Sequence, residues 1–132
     1  MTSQRVAAAY RQTEVQSRTP LELVVMLYDG GLKFLHQARE AITRGDIAAR
    51  RDASARALAI VSELQNTLNM EQGGDVARQL DELYEYVNGR ILQAAIDNSV
   101  GPIDDASRVL SMLRESWAAI AVPTDQPVRG AA

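Results

Sequence analysis

Few side chains in this sequence could perform covalent or metal chemistry. The 132 residues contain no cysteine and one histidine, His36, which excludes thiolate metal sites, disulfides and Cys-His catalytic pairs. A di-iron site in a helical protein needs Glu-x-x-His pairs, but the residue three positions before His36 is Lys33. No nucleophile motif surrounds the histidine, so we interpret it as a surface or helix-end residue.

Glycine pairs are the other local feature that could bind a small molecule. Gly30-Gly31 and Gly73-Gly74 are isolated, and neither belongs to the GxxxxGK[ST] pattern that cradles phosphate. A glycine within a helix costs about 1 kcal/mol relative to alanine, which suggests close packing. We expect a bulky side chain such as Trp117 or Tyr84 to lie against Gly30-Gly31. The sequence therefore predicts neither an enzyme nor a bound cofactor or metal.

The composition limits the classes of molecule that this protein is expected to bind. Fourteen Lys and Arg residues against 17 Asp and Glu give a net charge of −3, and no basic run is present to neutralise phosphates, so nucleic acid is not an expected partner. No window approaches the ~20 apolar residues that span a bilayer, and no apolar stretch resembles a signal peptide. We expect a protein that is neither secreted by a signal peptide nor integral to the membrane, with one compact domain whose core is built from the 46% hydrophobic residues.

Four apolar stripes with helical periodicity predict the elements that position these residues. The first helix is expected to begin at the capping sequence Thr19-Pro20-Leu21-Glu22 and to end near Gly45. The second is expected over residues 46–69, with exposed or frayed first turns, and to be ended by Gly73-Gly74. The third covers 75–98, and the fourth follows the break at 98–102. Short connections predict an all-α, antiparallel up-down four-helix bundle, with three helices of ~24 residues and a shorter fourth.

The chain ends are expected to lie outside the bundle. We predict a loosely docked N-terminal arm over residues 1–18, the four-helix bundle over 19–121 and a flexible tail over 122–132, which contains two prolines and little to bury. Tyr10 in the arm could either staple the arm to the bundle or belong to a binding surface.

Apolar residues exceed what the core stripes need. The first helix is apolar around much of its circumference, so it is either the most buried helix or part of a partner groove. On the third helix, Leu92 and Ile96 sit roughly opposite the core stripe and next to Gly89. They are either scattered exposed residues or a second face that receives an external helix or extended peptide.

The order and spacing of short motifs resemble the bacterial flagellin export chaperones, the FliS family. The resemblance runs from about residue 6 to 120, and its motifs are Tyr10, Thr19-Pro20-Leu21-Glu22-Leu23, Met26-Leu27-Tyr28-Asp29-Gly30, Ala38 with Ile42, Gly45-Asp46, Ile60-Val61, Glu63-Leu64, Gly73-Gly74, Leu83-Tyr84-Glu85-Tyr86, and Leu113-Arg114 before Trp117.

The resemblance implies a cytoplasmic helical bundle that holds the disordered C-terminal segment of flagellin, prevents its premature polymerisation and delivers it to the flagellar type III export gate. It also implies that the N-terminal arm, here with Tyr10, lies near the client site. The family's groove has no short motif, so the groove candidates are chosen by helical position alone: Leu58, Leu64, Leu92, Ile96 and Met112. The alternative is a structural or regulatory adaptor that docks another amphipathic helix or forms a homodimer through the same surface.

Overall fold

The computed structural model describes residues 19–121, which form four helices. These are α1 (Pro20–Arg44), α2 (Ile47–Asn66), α3 (Met70–Asp97) and α4 (Gly101–Ile120). Helix α1 packs against α2 and α4, and α3 packs against the same two helices. The helices therefore form a ring of antiparallel neighbours, which confirms the all-α bundle. The predicted N-terminal arm and C-terminal tail lie outside the described residues.

The start and end of α1 match the sequence prediction. The Thr19 hydroxyl accepts from the Glu22 backbone N–H at 3.1 Å, and the Glu22 carboxylate accepts from the Thr19 N–H at 3.2 Å. This reciprocal pair satisfies two donors that the first helical turn would otherwise leave free. At the other end, Gly45 adopts a left-handed conformation with φ 74° and donates its N–H to carbonyls of the last turn.

The boundary between α2 and α3 differs from the prediction. Helix α2 ends at Asn66, so it has 20 residues, not about 24, and α3 has 28. The Asn69 side chain caps α3 by accepting from the Gln72 N–H at 2.9 Å. Gly73-Gly74 therefore lies within the third element, where Gly74 (φ 52°, ψ −128°) bends the chain instead of ending α2. The first turns of α2 are exposed, as predicted, but they are not frayed, since the Asp46 side chain caps them.

Close packing at Gly30-Gly31 is confirmed, but the expected neighbours were wrong. A Cβ atom at Gly30 would stand 2.8 Å from Ile60 Cδ1, and one at Gly31 would stand 3.3 Å from Leu110 Cδ1. The glycines thus let α1 approach both α2 and α4. Tyr84 and Trp117 instead each contact Tyr28. Among residues 19–121, the largest fully buried side chains are Tyr28, Leu35, Val61, Leu64, Tyr84, Val87, Ile91, Ile103 and Leu110.

A chain of hydrogen bonds links three aromatic side chains inside the bundle. Tyr28 Oη lies 2.5 Å from Tyr84 Oη and accepts from Trp117 Nε1 at 3.1 Å. The bonds join α1, α3 and α4. Burial, with a smaller effect of the Tyr84 hydrogen bond, raises the pKa of Tyr28 well above that of an exposed tyrosine, and burial also raises the pKa of Tyr84. Both hydroxyls therefore stay neutral at physiological pH.

Candidate functional site

Hydrogen bonds between α2 and α3 define the face on which the groove candidates can be placed. Gln65 Nε2 donates to Glu85 at 2.7 Å and to Asp81 at 3.1 Å, and Gln65 Oε1 accepts from Asn88. At the other end of α2, Arg50 donates to Asn98 at 3.2 Å. The two sets of bonds fix the register of the two antiparallel helices.

This register brings three of the candidates to one side of the molecule. Leu58 lies midway between Arg50 and Gln65, which puts it at the level of Leu92 on α3. Leu92 follows Asn88 by one helical turn, so it lies on the side of α3 that faces α2, and Ile96 is one turn further along. Leu58 is half-buried against the core, whereas Leu92 and Ile96 are 54% and 77% exposed. We call this surface, formed by Leu58, Gly89, Leu92 and Ile96, the α2–α3 face.

The remaining candidates lie elsewhere. Leu64 has no exposed surface, because it belongs to the apolar stripe that α2 turns toward the core, so its assignment to a groove is corrected. Met112 is 66% exposed but lies on α4, which packs against α1 and α3. It is therefore not part of the α2–α3 face. Tyr10 lies outside the described residues.

Polar side chains lie toward the two ends of the α2–α3 face, and its centre is apolar. The Oδ1 atom of Asn88 and the Nε atom of Arg50 are buried and have no hydrogen-bond partner among residues 19–121. Neither Arg50 nor its neighbour Arg51 pairs with a carboxylate in that range, in contrast to Arg56, which pairs with Asp52 at 3.1 Å. An apolar strip with polar ends of this kind can bind an amphipathic segment.

The apolar surplus of α1 is used mainly inside the bundle. Leu32 and Phe34 pack against the core, and the cationic groups of Lys33 and Arg56 lie 5.7 Å from the centre of the Phe34 ring. The structure thus favours the interpretation of α1 as a helix covered by its two neighbours. Met26, 40% exposed, is the member of this surplus that remains at the surface.

A concave feature lies at the end of the bundle, where α1 begins and α4 ends. It is an apolar pocket of about 270 Å³ whose lining includes Pro20, Val24, Leu68, Leu80 and Trp117. The sequence did not indicate this pocket, because its walls come from the start of α1, the region around the α2–α3 connection and the end of α4, which are far apart in the chain. Its mouth is close to Thr19, the residue that follows the N-terminal arm.

No metal-binding cluster accompanies these surfaces in the described range. Residues 19–121 contain no cluster of three acidic or histidine side chains that could hold a metal ion. His36 is exposed and lies 3.1 Å from Glu40, one turn further on α1. Within the same range no helix is both long and apolar enough to cross a membrane.

A helical bundle with an exposed apolar face has the kind of surface that can bind another polypeptide. Comparison with known proteins shows the family of the chain. The family model "Flagellar protein FliS" matches residues 2–124. The flagellar secretion chaperone FliS of Salmonella typhimurium is 36% identical over 114 residues, covering 83% of this chain and 84% of that protein.

Other relatives agree. The flagellar secretion chaperone FliS of Bacillus subtilis is 32% identical over 117 residues, 89% of this chain and 86% of its own. That of Campylobacter jejuni is 37% identical over 109 residues, with 83% and 85% covered. The chain belongs to the FliS family of flagellar secretion chaperones, whose members are chaperones and not enzymes.

Proposed function

We propose that this flagellar export chaperone binds the disordered C-terminal segment of flagellin in the bacterial cytoplasm. Binding prevents premature polymerisation, and the complex then delivers flagellin to a component of the flagellar type III export gate. The observation that carries the proposal is the α2–α3 face, where Leu92 and Ile96 expose apolar surface on the side of α3 away from the core. A member of a secretion chaperone family needs such a surface for a client.

The chemistry of the face fits an unfolded client. A disordered segment has no core of its own, so its apolar side chains remain available for a groove and it can fold as it binds. The segment gives up conformational entropy in doing so. A rigid four-helix scaffold reduces the total cost, because only one partner must become ordered.

Titration calorimetry with the flagellin C-terminal segment tests the proposal. We expect saturable binding, and no detectable binding at concentrations on the order of tens of micromolar would overturn the proposed function. The variant L92S/I96S should weaken binding by about tenfold or more, because both apolar contacts are lost. Met112→Ser is the matched control, since it removes an equally exposed apolar side chain from α4. A larger loss with Met112→Ser would move the client site to α4.

We also propose that Tyr10 contributes to the client site, as the family resemblance implies. Eight residues lie between Tyr10 and Thr19, so an extended arm of up to ~30 Å could reach the pocket at the end of the bundle. Tyr10→Ala should change the affinity for flagellin without lowering the thermal stability of the bundle. A large loss of helicity or of melting temperature in circular dichroism would show that Tyr10 is a core residue instead.

Self-association through the same face is the competing outcome. A homodimer would cover Leu92 and Ile96 with a second copy and block a client. Sedimentation of the free protein, followed by sedimentation with the flagellin segment, distinguishes the two arrangements. We expect a monomer that forms a complex with one copy of each chain.

A further inference from the structure

Gly89 is a glycine inside α3 that the fold of residues 19–121 does not require. Its φ angle is not in the left-handed region, and a Cβ atom built there would meet nothing within 4 Å. Gly30 differs, because Ile60 of a neighbouring helix occupies the space a Cβ would take. A glycine in a helix interior lowers stability relative to alanine, and at Gly89 no internal packing compensates for that loss.

The position of Gly89 relates it to the α2–α3 face. Glu85 lies one turn before it, and Leu92 and Ile96 follow at three and seven residues, so all four lie along one stripe of α3. Two exposed apolar side chains thus stand beside a section of bare backbone. Because glycine has no side chain, another chain can approach the α3 backbone more closely at Gly89 than it could if any other residue type stood there.

The two ends of this face carry opposite charge. Glu82 and Glu85 lie at the end near the α2–α3 connection, and neither forms an ion pair within residues 19–121. Arg50 and Arg51 lie at the opposite end, also without a carboxylate partner in that range. The axial separation between Glu85 and the level of Arg50 is ~20 Å, about four helical turns.

Other charged groups near these ends are paired or lie off the face. Asp97 keeps its charge, since its hydrogen bond at 2.8 Å is to the neutral amide of Gln93, but it lies about 100° around α3 from Ile96. Asp52 pairs with Arg56 at 3.1 Å. The charge asymmetry of the face therefore remains available to a bound partner.

We propose that the α2–α3 face binds one helical stretch of the client with its backbone lying over Gly89 and its N-terminal end beside Glu82 and Glu85. The helix dipole determines the direction, because a helix N-terminus carries partial positive charge and its C-terminus partial negative charge. The client helix therefore runs parallel to α3 and ends near Arg50 and Arg51. This inference rests on the proposed function, and it specifies the conformation, direction and closest contact of the client.

Substitution of Gly89 gives two effects of opposite sign. Gly89→Ala should raise the melting temperature by about 2–5 °C, because alanine favours the helix and meets no neighbour. The same change should weaken binding of the flagellin C-terminal segment about fivefold, and Gly89→Gln should weaken it more than tenfold, because the larger side chain holds the client backbone further away. A purely structural role for Gly89 could not produce greater stability together with weaker binding.

Ser111→Ala is the matched control, because it replaces an exposed helical residue of α4 with a better helix former. It should raise stability slightly and leave binding unchanged. If the native protein binds flagellin and both Gly89 variants bind equally well, this inference is overturned while the proposed function stands. If the native protein does not bind, the proposed function fails and the inference fails with it.

The direction of the client is tested with nitroxide labels, since the chain has no native cysteine. One label is attached at Glu82→Cys and another at Arg51→Cys, and each labelled protein is mixed with isotope-labelled flagellin segment. We expect the client resonances broadened by the Glu82→Cys label to come from residues earlier in the flagellin sequence than those broadened by the Arg51→Cys label. The reverse order, or the same residues with both labels, overturns the proposed direction.

Discussion

Tyr28 occupies the centre of the buried hydrogen-bond chain, and Tyr28→Phe tests its contribution to stability. The substitution removes one oxygen and keeps the ring. Two groups then lose their hydrogen-bond partner. The Tyr84 hydroxyl loses the Tyr28 oxygen, which lies 2.5 Å away in the native protein, and the Trp117 N–H loses its acceptor, the same oxygen at 3.1 Å. Tyr84→Phe, in contrast, leaves Tyr28 still bonded to Trp117.

Magnitudes follow from the number and burial of the orphaned groups. A buried polar group without a partner costs about 1–3 kcal/mol. Tyr84 is fully buried and Trp117 is half-buried, so we expect Tyr28→Phe to lower the free energy of unfolding by about 2–4 kcal/mol, with Trp117 at the lower end of the range. Tyr84→Phe should lower the free energy of unfolding by about 1–2 kcal/mol, since the Tyr28 hydroxyl then loses one of its two hydrogen bonds.

Urea denaturation of the two single variants and the double variant measures these values. The double variant Y28F/Y84F removes both hydroxyls and leaves only the Trp117 N–H without a partner, so it should be no less stable than Tyr28→Phe alone. Trp117 is the single tryptophan of the chain and its fluorescence reports on its own environment. The reasoning is refuted if Tyr84→Phe costs more than Tyr28→Phe, or if the two costs simply add.

Three further predictions concern pH and helix ends. Because burial raises the folded-state pKa of Tyr28 and Tyr84, the native protein retains protons that the unfolded chain releases above pH ~10. Stability should therefore be fully present below that pH and fall above it by up to ~1.4 kcal/mol per pH unit for each tyrosine, and Tyr28→Phe should flatten the fall in urea titrations. Thr19→Ala should lower the unfolding free energy by about 1 kcal/mol through loss of the capping box, and Thr19→Ser should retain most of it in the same assay. Gly45→Ala should cost about 1 kcal/mol in thermal denaturation because φ at Gly45 is 74°, and an unchanged melting temperature would contradict this.

The sequence predicted the helix ends that depend on only a few neighbouring residues. The capping box at Thr19 and the glycine after α1 act over four residues, so their positions could be read directly. Gly73-Gly74 was misinterpreted because glycine allows both an ending and a bend. The decisive signal was the Asn69 side chain, whose bond to Gln72 starts α3 before the glycines.

Contacts between distant segments could not be predicted in the same way. Arg39 bonds Asp104 across 65 positions and Arg114 bonds Asp29 across 85, and no periodicity encodes such pairs. The same limit explains why only some of the groove candidates lie at the surface. Periodicity placed Leu64 on the core stripe, but only the packing of α2 against its neighbours shows that this leaves Leu64 no surface, whereas Leu58 reaches the edge of the α2–α3 face.

The two sides of α3 lie in opposite environments, one in the core and one at the α2–α3 face. Its inner side supplies Tyr84, Val87 and Ile91 to a closely packed interior, which holds the helix in a fixed position. Its outer side leaves Leu92 and Ile96 in water, an arrangement that contributes nothing to folding of the free protein. A helix held rigidly on one side can present apolar groups on the other without rearranging when a client arrives. If the proposed function is right, burial of Leu92 and Ile96 stabilises the complex with the client and not the free protein.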